Sequence, residues 1–511
     1  MQSSIDSTPR PLDHLAELAG EGGHGDAPAL VLRDQVLNHD QLRQRVDHLA
    51  AWLVREIGEL GARVATWAAK GELTCLMPLA AARAGLVHVP INPLLKRAQV
   101  AHILADSGAR MLIATKSRLK SLDEQDRPSG CVGHEEGAAI EAALDAALTL
   151  GPSNADPDAL TAILYTSGST GKPKGVMLSH ANLWLGAVSV ASYLKLAKDD
   201  VTLAVLPLSF DYGQNQLLST WYAGGSVVPL DFLFPKDVSK ACAAHGITTL
   251  AAVPPLWVQL TELDWPEQAS APLRRLTNSG GALTTELVED LRRIFPHSDL
   301  YPMYGLTEAF RSTFLDPELV EKHPTSMGKA IPFAEILVID DAGSVAEAGE
   351  EGELVHCGPL VAQGYWQDPA RTAERFKPAP EQSTYGGTAV WSGDRVKRDE
   401  TGLLYFIGRR DAMIKSAGNR ISPQEIEEAA IASEFVQEAV ALGIPDDRLG
   451  QAVHLVVRGT ADESERSLLG RFLKSELPNF MQPQMVHWRD AMPLNPNGKI
   501  DRTALFKELS R

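Results

Sequence analysis

A loop rich in glycine, hydroxyl and lysine side chains is the strongest chemical signal in the chain. It continues a predicted strand at residues 160–165 and reads Tyr165-Thr-Ser-Gly-Ser-Thr-Gly-Lys-Pro-Lys-Gly-Val176. Glycines let successive backbone N–H groups turn toward an anion, and the hydroxyl and ammonium groups add donors and positive charge. The loop is not a Walker A loop, because only two residues separate Gly168 from Gly171 and a proline follows Lys172. It is nevertheless predicted to bind a polyphosphate.

This string resembles the phosphate-binding signature of the adenylate-forming superfamily, which includes acyl-CoA synthetases, peptide-synthetase adenylation domains and luciferases. The resemblance implies an α/β fold, with a large N-terminal domain of αβα layers plus a small β-barrel over residues 1–408. A small α+β C-terminal domain, mobile and carrying the catalytic lysine, is implied over residues 409–511. ATP and Mg²⁺ are the implied cofactors. The residues assigned to ATP in the loop are Thr166, Ser167, Gly168, Ser169, Thr170, Gly171 and Lys174.

Further motifs of the same family follow in order along nearly the whole chain. Tyr301-Pro-Met-Tyr-Gly-Leu-Thr-Glu308 resembles the second signature, in which an aromatic ring can stack on adenine, Thr307 can donate to the α-phosphate and Glu308 can hold Mg²⁺. Asn278-Ser-Gly-Gly-Ala-Leu283 resembles the turn that lines the adenine and the acyl carboxylate. Trp391-Ser-Gly-Asp394 resembles the motif whose carboxylate accepts the ribose hydroxyls. These motifs add the following residues to the implied nucleotide site: Gly280, Gly281, Ala282, Tyr304, Gly305, Thr307, Asp394 and Arg409.

Near the end of the chain, Pro493-Leu-Asn-Pro-Asn-Gly-Lys-Ile-Asp-Arg502 resembles the closing loop that brings a lysine, here Lys499, into the site. Such a group is needed because a carboxylate must approach an anionic α-phosphate while charge grows on the phosphoryl oxygens. Lys499, Thr307 and Glu308 are therefore the predicted catalytic residues.

Two segments resemble the moving parts of the family. Gly408-Arg-Arg-Asp411 is similar to the hinge motif, with Arg409 toward the ribose and Asp411 as the pivot. In Lys415-Ser-Ala-Gly-Asn-Arg-Ile-Ser422, Gly418 would leave room for a pantetheine arm. That arm is common to CoA and to carrier proteins, so the motif does not choose between these acceptors.

The predicted acyl pocket departs from that of ordinary fatty acyl-CoA synthetases. It comprises Phe210, Asp211, Ser279 and Arg311, and those enzymes usually carry histidine and an apolar residue at the first two positions. The Phe-Asp pair is similar to peptide-synthetase adenylation domains, where that aspartate binds an α-ammonium. The stretch is closest to stand-alone aminoacyl-adenylating enzymes and to AMP-forming ligases found beside exosortase systems.

The two charged pocket residues have two readings that stay open at this point. Asp211 and Arg311 could bracket a zwitterionic or doubly charged substrate, or they could form a mutual ion pair, since buried charges need partners. A long fatty acid is disfavoured in both cases, because an unpaired carboxylate in its tunnel would cost several kcal/mol.

The helices and strands around these motifs can be predicted from periodicity. Apolar residues at helical spacing predict a helix over about residues 40–57, begun by Asn38 or Asp40. Alternating short apolar runs and helical stretches predict βα units up to about residue 310, and residues 328–406 read as a barrel or small sheet. Ser422-Pro-Gln-Glu425 predicts a capping box at the start of a helix in the last unit.

Length and composition limit the number of domains, the binding partners and the cellular location that the chain is expected to have. A chain of 511 residues predicts two or more domains, and a formal charge of -17 argues against nucleic-acid or anionic-membrane binding. The four cysteines are widely scattered and no secretory signal or membrane-spanning run is readable. We therefore predict a cytoplasmic protein without nucleic-acid or membrane partners, as a monomer or homodimer.

The motifs together predict an ATP-dependent, AMP-forming carboxylate ligase. It would form an acyl-adenylate from an amino-acid-like or short polar acid and transfer the acyl group to the thiol of CoA or of a carrier-protein phosphopantetheine. Two alternatives stay open: an amide-forming ligase that transfers to an amine, and a non-catalytic nucleotide-binding relative.

Overall fold

A mixed β-sheet near the N-terminus carries the predicted phosphate loop. The computed structural model describes residues 5–166, 173–409, 414–416, 419–446, 449–459, 463–477 and 479–510. The ladders of this sheet are parallel except the last, which joins the two strands that flank the phosphate loop. Its strands, in spatial order, are Val132–Glu135, Met111–Ala114, Arg63–Trp67, Val87–Pro90, Leu160–Thr166 and Lys174–Ser179.

A second sheet begins with parallel strands and contributes the other motifs of the large unit. Its parallel part confirms the predicted βα units, and Val36–Asn38 alone runs antiparallel at the edge of this part. In spatial order the strands are Val36–Asn38, Pro28–Val31, Ser226–Pro229, Val201–Ala204, Thr249–Ala252, Arg275–Asn278 and Asp299–Tyr304.

The sheet continues with antiparallel strands, where the sequence predicted a barrel or small sheet. In spatial order these are Thr313–Phe314, Ser326–Ala330, Leu404–Arg409, Thr388–Arg398, Glu351–Cys357 and Glu335–Ile339, with Phe376–Pro378 beside Thr388–Arg398. Among the described residues, no ladder pairs Glu335–Ile339 with Ser326–Ala330.

Helices cover the sheets, and the described buried apolar side chains of the large unit form one large cluster and three smaller ones. The predicted helix at 40–57 is confirmed: it spans His39–Ile57, with Asn38 accepting from the Gln41 backbone N–H and Gly58 ending it at φ 64°. The α-helices of this large unit are Leu18–Glu21, His39–Ile57, Glu72–Arg83, Arg97–Ser107, Lys116–Lys120, Glu136–Asp145, His180–Tyr193, Asp211–Tyr222, Pro235–His245, Pro254–Thr261, Glu267–Ser270, Thr285–Ile294 and Pro369–Arg375. Short 3₁₀ helices occur at Leu12–Ala16, Glu124–Asp126, Thr307–Ala309 and Pro317–Leu319.

The last part of the chain forms a small α+β unit with its own apolar clusters. Its strands are Ile414–Ser416, Asn419–Ile421, Glu438–Asp446, Gly450–Arg458 and Met485–Arg489, and its helices are Pro423–Ile431, Glu463–Glu476, Arg502–Leu509 and the 3₁₀ helix Asn479–Met481. The large and small units confirm the predicted α/β class. The boundary between residues 408 and 409 stays a prediction, because residues 410–413 lie outside the described ranges.

The predicted capping box at residue 422 is wrong, although the helix begins where expected. The Ser422 hydroxyl caps nothing; it donates instead to the Ile407 carbonyl oxygen at 2.5 Å and so ties the small unit to the end of the antiparallel sheet. All four cysteines are buried free thiols. Within the described ranges, no helix combines the length and apolar character that a bilayer crossing requires.

Candidate active site

A cleft of about 1170 Å³ opens where strand ends of both sheets and a loop of the small unit meet. Thr166, Asn278 and Tyr304 line it, and each is the last residue of its strand. Ligands of open α/β sheets generally bind at the carboxyl ends of strands. The cleft is lined by these predicted site residues: Thr166, Lys174, Phe210, Asp211, Ser279, Gly280, Gly281, Ala282, Tyr304, Gly305, Thr307, Glu308, Asp394, Arg409 and Lys499.

The other predicted site residues either line a smaller cavity or lie outside the described residues. Arg311 lies beside the cleft, in a smaller cavity. The phosphate-loop residues 167–171, the hinge residue Asp411 and the predicted tunnel residue Gly418 lie outside the described residues, so their roles stay predictions.

A carboxylate, an ammonium and a phenol meet at the predicted metal position. Lys174 Nζ lies 3.0 Å from Glu308 Oε1, and the Tyr365 hydroxyl donates to the same oxygen at 2.6 Å. Burial raises the pKa of Glu308, but Lys174 and the Tyr365 hydroxyl outweigh it, so the pKa lies below its usual value. Glu308 is therefore ionised at neutral pH, as a hard-cation ligand must be.

These residues fit Mg²⁺. The buried hydroxyl oxygen of Thr166, in the same cleft as Glu308, has no hydrogen-bond partner among the described residues. No cluster of three or more acidic, histidine or cysteine side chains suited to a metal occurs in the described ranges. One carboxylate beside an unpaired hydroxyl oxygen suits Mg²⁺, which proteins usually hold through one or two carboxylates together with substrate phosphates.

The predicted ribose site is a buried carboxylate held between two donors. Asp394 is 3% exposed and accepts from the Tyr304 hydroxyl at 2.5 Å and from Arg409 Nε at 3.0 Å. Burial raises the pKa of Asp394, while the Arg409 guanidinium opposes this shift. The pair of strands that carries Asp394 and Arg409 sets them directly opposite each other in register.

The predicted acyl pocket begins at the first turn of helix Asp211–Tyr222. Asp211 is 5% exposed and accepts from the Thr307 hydroxyl at 3.0 Å, so the pocket carboxylate and the predicted phosphate donor are in contact. Burial raises the pKa of Asp211, whereas Arg311 and Lys499 lower it. Gly213 permits the close packing of this turn, because a Cβ there would lie 1.9 Å from the Pro207 carbonyl oxygen.

Asp211 and Arg311 do not form the mutual ion pair that was one of the two predicted alternatives. Among the described residues, no carboxylate oxygen lies within 4.0 Å of the Arg311 guanidinium nitrogens. Its contact is instead with the ring of Tyr212, whose centroid lies 4.5 Å from the guanidinium carbon.

Lys499 enters the cleft from a tight turn of the small unit. Leu494 and Ile500 form an antiparallel bridge, and Asn495 Oδ1 accepts from the backbone N–H of Lys499 at 3.1 Å. The ammonium lies 5.4 Å from the ring centroid of Phe210. Burial lowers the pKa of Lys499, with Asp211 opposing the shift. The small unit thus places a cation in the predicted acyl pocket.

An asparagine of the large unit anchors this turn. Asn92 Nδ2 donates to the Pro496 carbonyl oxygen at 2.7 Å and to Asn497 Oδ1 at 3.2 Å. Asn92 is 5% exposed and follows strand Val87–Pro90 of the first sheet.

Sequence reasoning missed Asn92 and Tyr365. Both act through partners more than 50 residues away in the chain. Neither lies in a string with a chemical pattern of its own. Only the tertiary contact identifies them.

Comparison with known proteins extends these observations. The family model described as AMP-binding enzyme matches residues 19–366, and the model for the AMP-binding enzyme C-terminal domain matches residues 425–499. Gramicidin S synthase 2 from Brevibacillus brevis is 30% identical over 490 residues, which are 94% of this chain and 11% of that protein. The chain spans only 9%, 6% and 11% of the length of three curated relatives that it matches.

Solved structures share the fold over almost the full chain. The o-succinylbenzoate CoA synthetase MenE from Bacillus subtilis, in complex with its acyl-adenylate intermediate, has a TM-score of 0.82 at 25% identity, with 98% of each chain covered. ATP-bound MatB from Rhodopseudomonas palustris has a TM-score of 0.87 at 24% identity, with 98% of this chain and 99% of that chain covered. Since the first family model spans well over half of the 511 residues, the protein belongs to the AMP-binding enzyme family.

Proposed function

We propose that this protein is an ATP-dependent, AMP-forming carboxylate ligase. It joins a short carboxylic acid to AMP as an acyl-adenylate and then transfers the acyl group to a thiol. The observation that carries this proposal is the insertion of Lys499 from the small unit beside Asp211 and Thr307, in the cleft that also holds Glu308 and Asp394.

The first half-reaction follows from the charges in the cleft. The acid's carboxylate oxygen attacks the α-phosphorus of ATP, the bond to the β-phosphate oxygen breaks, and pyrophosphate leaves. Lys499 lies where it would neutralise the approaching carboxylate and the growing charge on the phosphoryl oxygens, and Thr307 would donate to the α-phosphate. Mg²⁺, held by Glu308 and the phosphates, would supply further charge neutralisation.

The nucleoside would be fixed by the pair of antiparallel strands. Asp394 is suited to accept from the ribose hydroxyls, because a carboxylate is a strong acceptor and Arg409 keeps it oriented. The Gly280–Gly281 turn lines the same cleft beside Lys499, so it would face adenine and the acyl group there.

The acceptor that we propose is the thiol of CoA or of carrier-protein phosphopantetheine. Solved neighbours in fold include CoA synthetases and CoA ligases, and the relatives in sequence include gramicidin and tyrocidine synthases. A thiol attack on the acyl carbonyl releases AMP. The acid is an amino-acid-like or short polar acid, since Asp211 would meet a substrate ammonium and no plain fatty chain would satisfy it.

The test is product analysis with ATP, Mg²⁺ and a panel of amino, hydroxy, aryl and short dicarboxylic acids. We expect AMP and pyrophosphate with the accepted acids, and a thioester when CoA or a phosphopantetheinylated carrier protein is added. Formation of ADP and phosphate would contradict the proposal. Adenylates that are captured only by amines would favour the amide-forming alternative.

A further inference from the structure

A small cavity of about 20 Å³ adjoins the acyl end of the cleft. Tyr212 and Met303 line both spaces and therefore form the wall between them. Helix Asp211–Tyr222 supplies much of the cavity lining, and most of its side chains there are polar rather than apolar. The volume is enough for one water-sized group.

Three polar side chains of this cavity have an unpaired atom. Nε of Arg311, Oδ1 of Asn215 and Oγ1 of Thr249 are buried and have no hydrogen-bond partner among the described residues. Native proteins pair nearly all such atoms, and each buried unpaired one costs roughly what a lost hydrogen bond does. The cavity is therefore suited to a polar occupant.

The charge of Arg311 specifies the sign of that occupant. Its side chain is 1% exposed, and within the described part of the chain its guanidinium has only the Tyr212 ring as a close charge-stabilising contact. Asp211 attracts the guanidinium only from beyond 4.0 Å and is already bonded to Thr307. A buried guanidinium favours an anionic oxygen as its partner.

The backbone before Arg311 holds this side chain in place. Phe310 has φ 59° and ψ -68°, and the Arg311 N–H donates to the Ala309 carbonyl oxygen at 2.7 Å, which is a γ-turn of the strained form. The Phe310 ring packs over Gly186, where a Cβ would lie 2.4 Å from the ring. A strained turn of this kind persists only where the surrounding packing stabilises it, so the packing also fixes the position of Arg311.

We propose that Arg311, with the Thr249 hydroxyl as a second donor, is a subsite for a second carboxylate on the acid substrate. The substrate class is then short dicarboxylic acids. A dicarboxylic amino acid would in addition pair its α-ammonium with Asp211. One carboxylate reacts beside Lys499, and an oxygen of the other enters the cavity. Met303, which is unbranched and adaptable, moves aside, whereas Tyr212 is held by its bond to Thr277 at 2.7 Å. This inference rests on the proposed ligase function.

The test compares matched acids that differ in one charge. Pyrophosphate exchange is measured for aspartate against asparagine, glutamate against glutamine, and succinate against succinamate. We expect the wild type to prefer the charged member of the accepted pair by about 10²-fold or more in kcat/KM. Arg311→Gln abolishes that preference, because it lowers kcat/KM for the charged member more than for the neutral member, and Arg311→Lys restores part of it. Arg274→Gln, an arginine on the surface paired with Asp199, is the control and keeps the preference.

Several outcomes separate this inference from the proposed function. Exchange with neutral acids but not with dicarboxylates would overturn the inference alone, as would an unchanged preference in Arg311→Gln. If no acid supports exchange, the proposed function fails; calorimetric titration of succinate into the wild type and Arg311→Gln then decides the subsite by itself. We expect succinate to bind to the wild type and not to Arg311→Gln. Equal binding to both proteins, or no binding to the wild type, would overturn the subsite. If Arg311→Gln does not fold, the wild-type preference and Arg311→Lys decide.

Discussion

The side chain of Lys499 occupies the space that a side chain at Gly280 would need. A Cβ on Gly280 would lie 2.6 Å from Lys499 Cε and 3.0 Å from Lys499 Nζ. Gly280 also has φ 87°, a conformation that residues with a side chain rarely adopt. The large unit therefore leaves a gap at this turn that the lysine of the small unit fills.

We expect Gly280→Ala to impair acyl-adenylate formation about 10²-fold or more, because the methyl group displaces Lys499 and one transition-state donor is lost. Gly343→Ala is the matched control: Gly343 has the same φ of 87°, with no atom within 4 Å of a Cβ there. It carries the cost of the conformation without the clash. Rapid-quench measurement of adenylate formation compares the two. Equal rates in the two variants, both folded, would mean that Lys499 does not use this gap.

Asn92→Asp tests the anchor of the Lys499 turn. The substitution keeps the size of the side chain but replaces the donor to Pro496 by a carboxylate that repels its carbonyl oxygen. We expect adenylate formation to fall about tenfold, roughly the cost of one hydrogen bond. Thioester formation from supplied acyl-adenylate should change little. In a double-mutant cycle, Asn92→Asp should not slow adenylate formation any further once Lys499→Ala is present. If the two substitutions lower the rate additively, Asn92 does not act through Lys499.

The pH dependence of adenylate formation should report the ammonium of Lys499. Burial lowers the pKa of Lys499 below the ordinary lysine value of 10.5, and the protonated form is the active one. The rate should therefore be constant at lower pH and fall as the pH rises through this lowered pKa. In Lys499→Arg, whose guanidinium stays protonated, the residual rate should show no such alkaline fall. An unchanged alkaline limb in that variant would assign the limb to another group.

The motif residues of the site could be predicted because each belongs to a short string at a strand end or a turn. Thr166, Tyr304 and Asp394 were found in this way, and the structure brings them into one cleft. Gly280 and Lys499 were predicted too, but their direct contact was not, since it depends on how the small unit docks.

What the sequence could not predict depends on contacts between distant segments. Tyr365 bonds to Glu308, and Asn92 bonds to the Lys499 turn, although neither has a local pattern. The position of Arg311 depends on the γ-turn at Phe310, whose positive φ no propensity would predict. Ser422 bonds across the units rather than capping its own helix, because a tertiary acceptor lies within reach.

Asp211→Ala and Asp211→Asn together test recognition of a substrate ammonium. Both remove the charge, but asparagine can keep an acceptor for the Thr307 hydroxyl. For an accepted amino acid we expect both variants to lose roughly 2–5 kcal/mol of transition-state stabilisation. The des-amino analogue should be little affected in Asp211→Asn. Comparison of kcat/KM for the two substrates checks this. If both substrates lose activity alike, Asp211 is structural.

Isotope transfer can follow the central step of the proposed reaction. In that step the acid's carboxylate oxygen attacks the α-phosphorus of ATP in the cleft that Lys499 enters. An accepted acid labelled with ¹⁸O at both oxygens of its reacting carboxylate is incubated with ATP and a thiol acceptor, and the recovered AMP is analysed by mass spectrometry. We predict one ¹⁸O atom in each AMP molecule, because the bond between the acyl carbon and that oxygen breaks when the thiol attacks. Label in inorganic phosphate, or AMP without label, would contradict this chemistry.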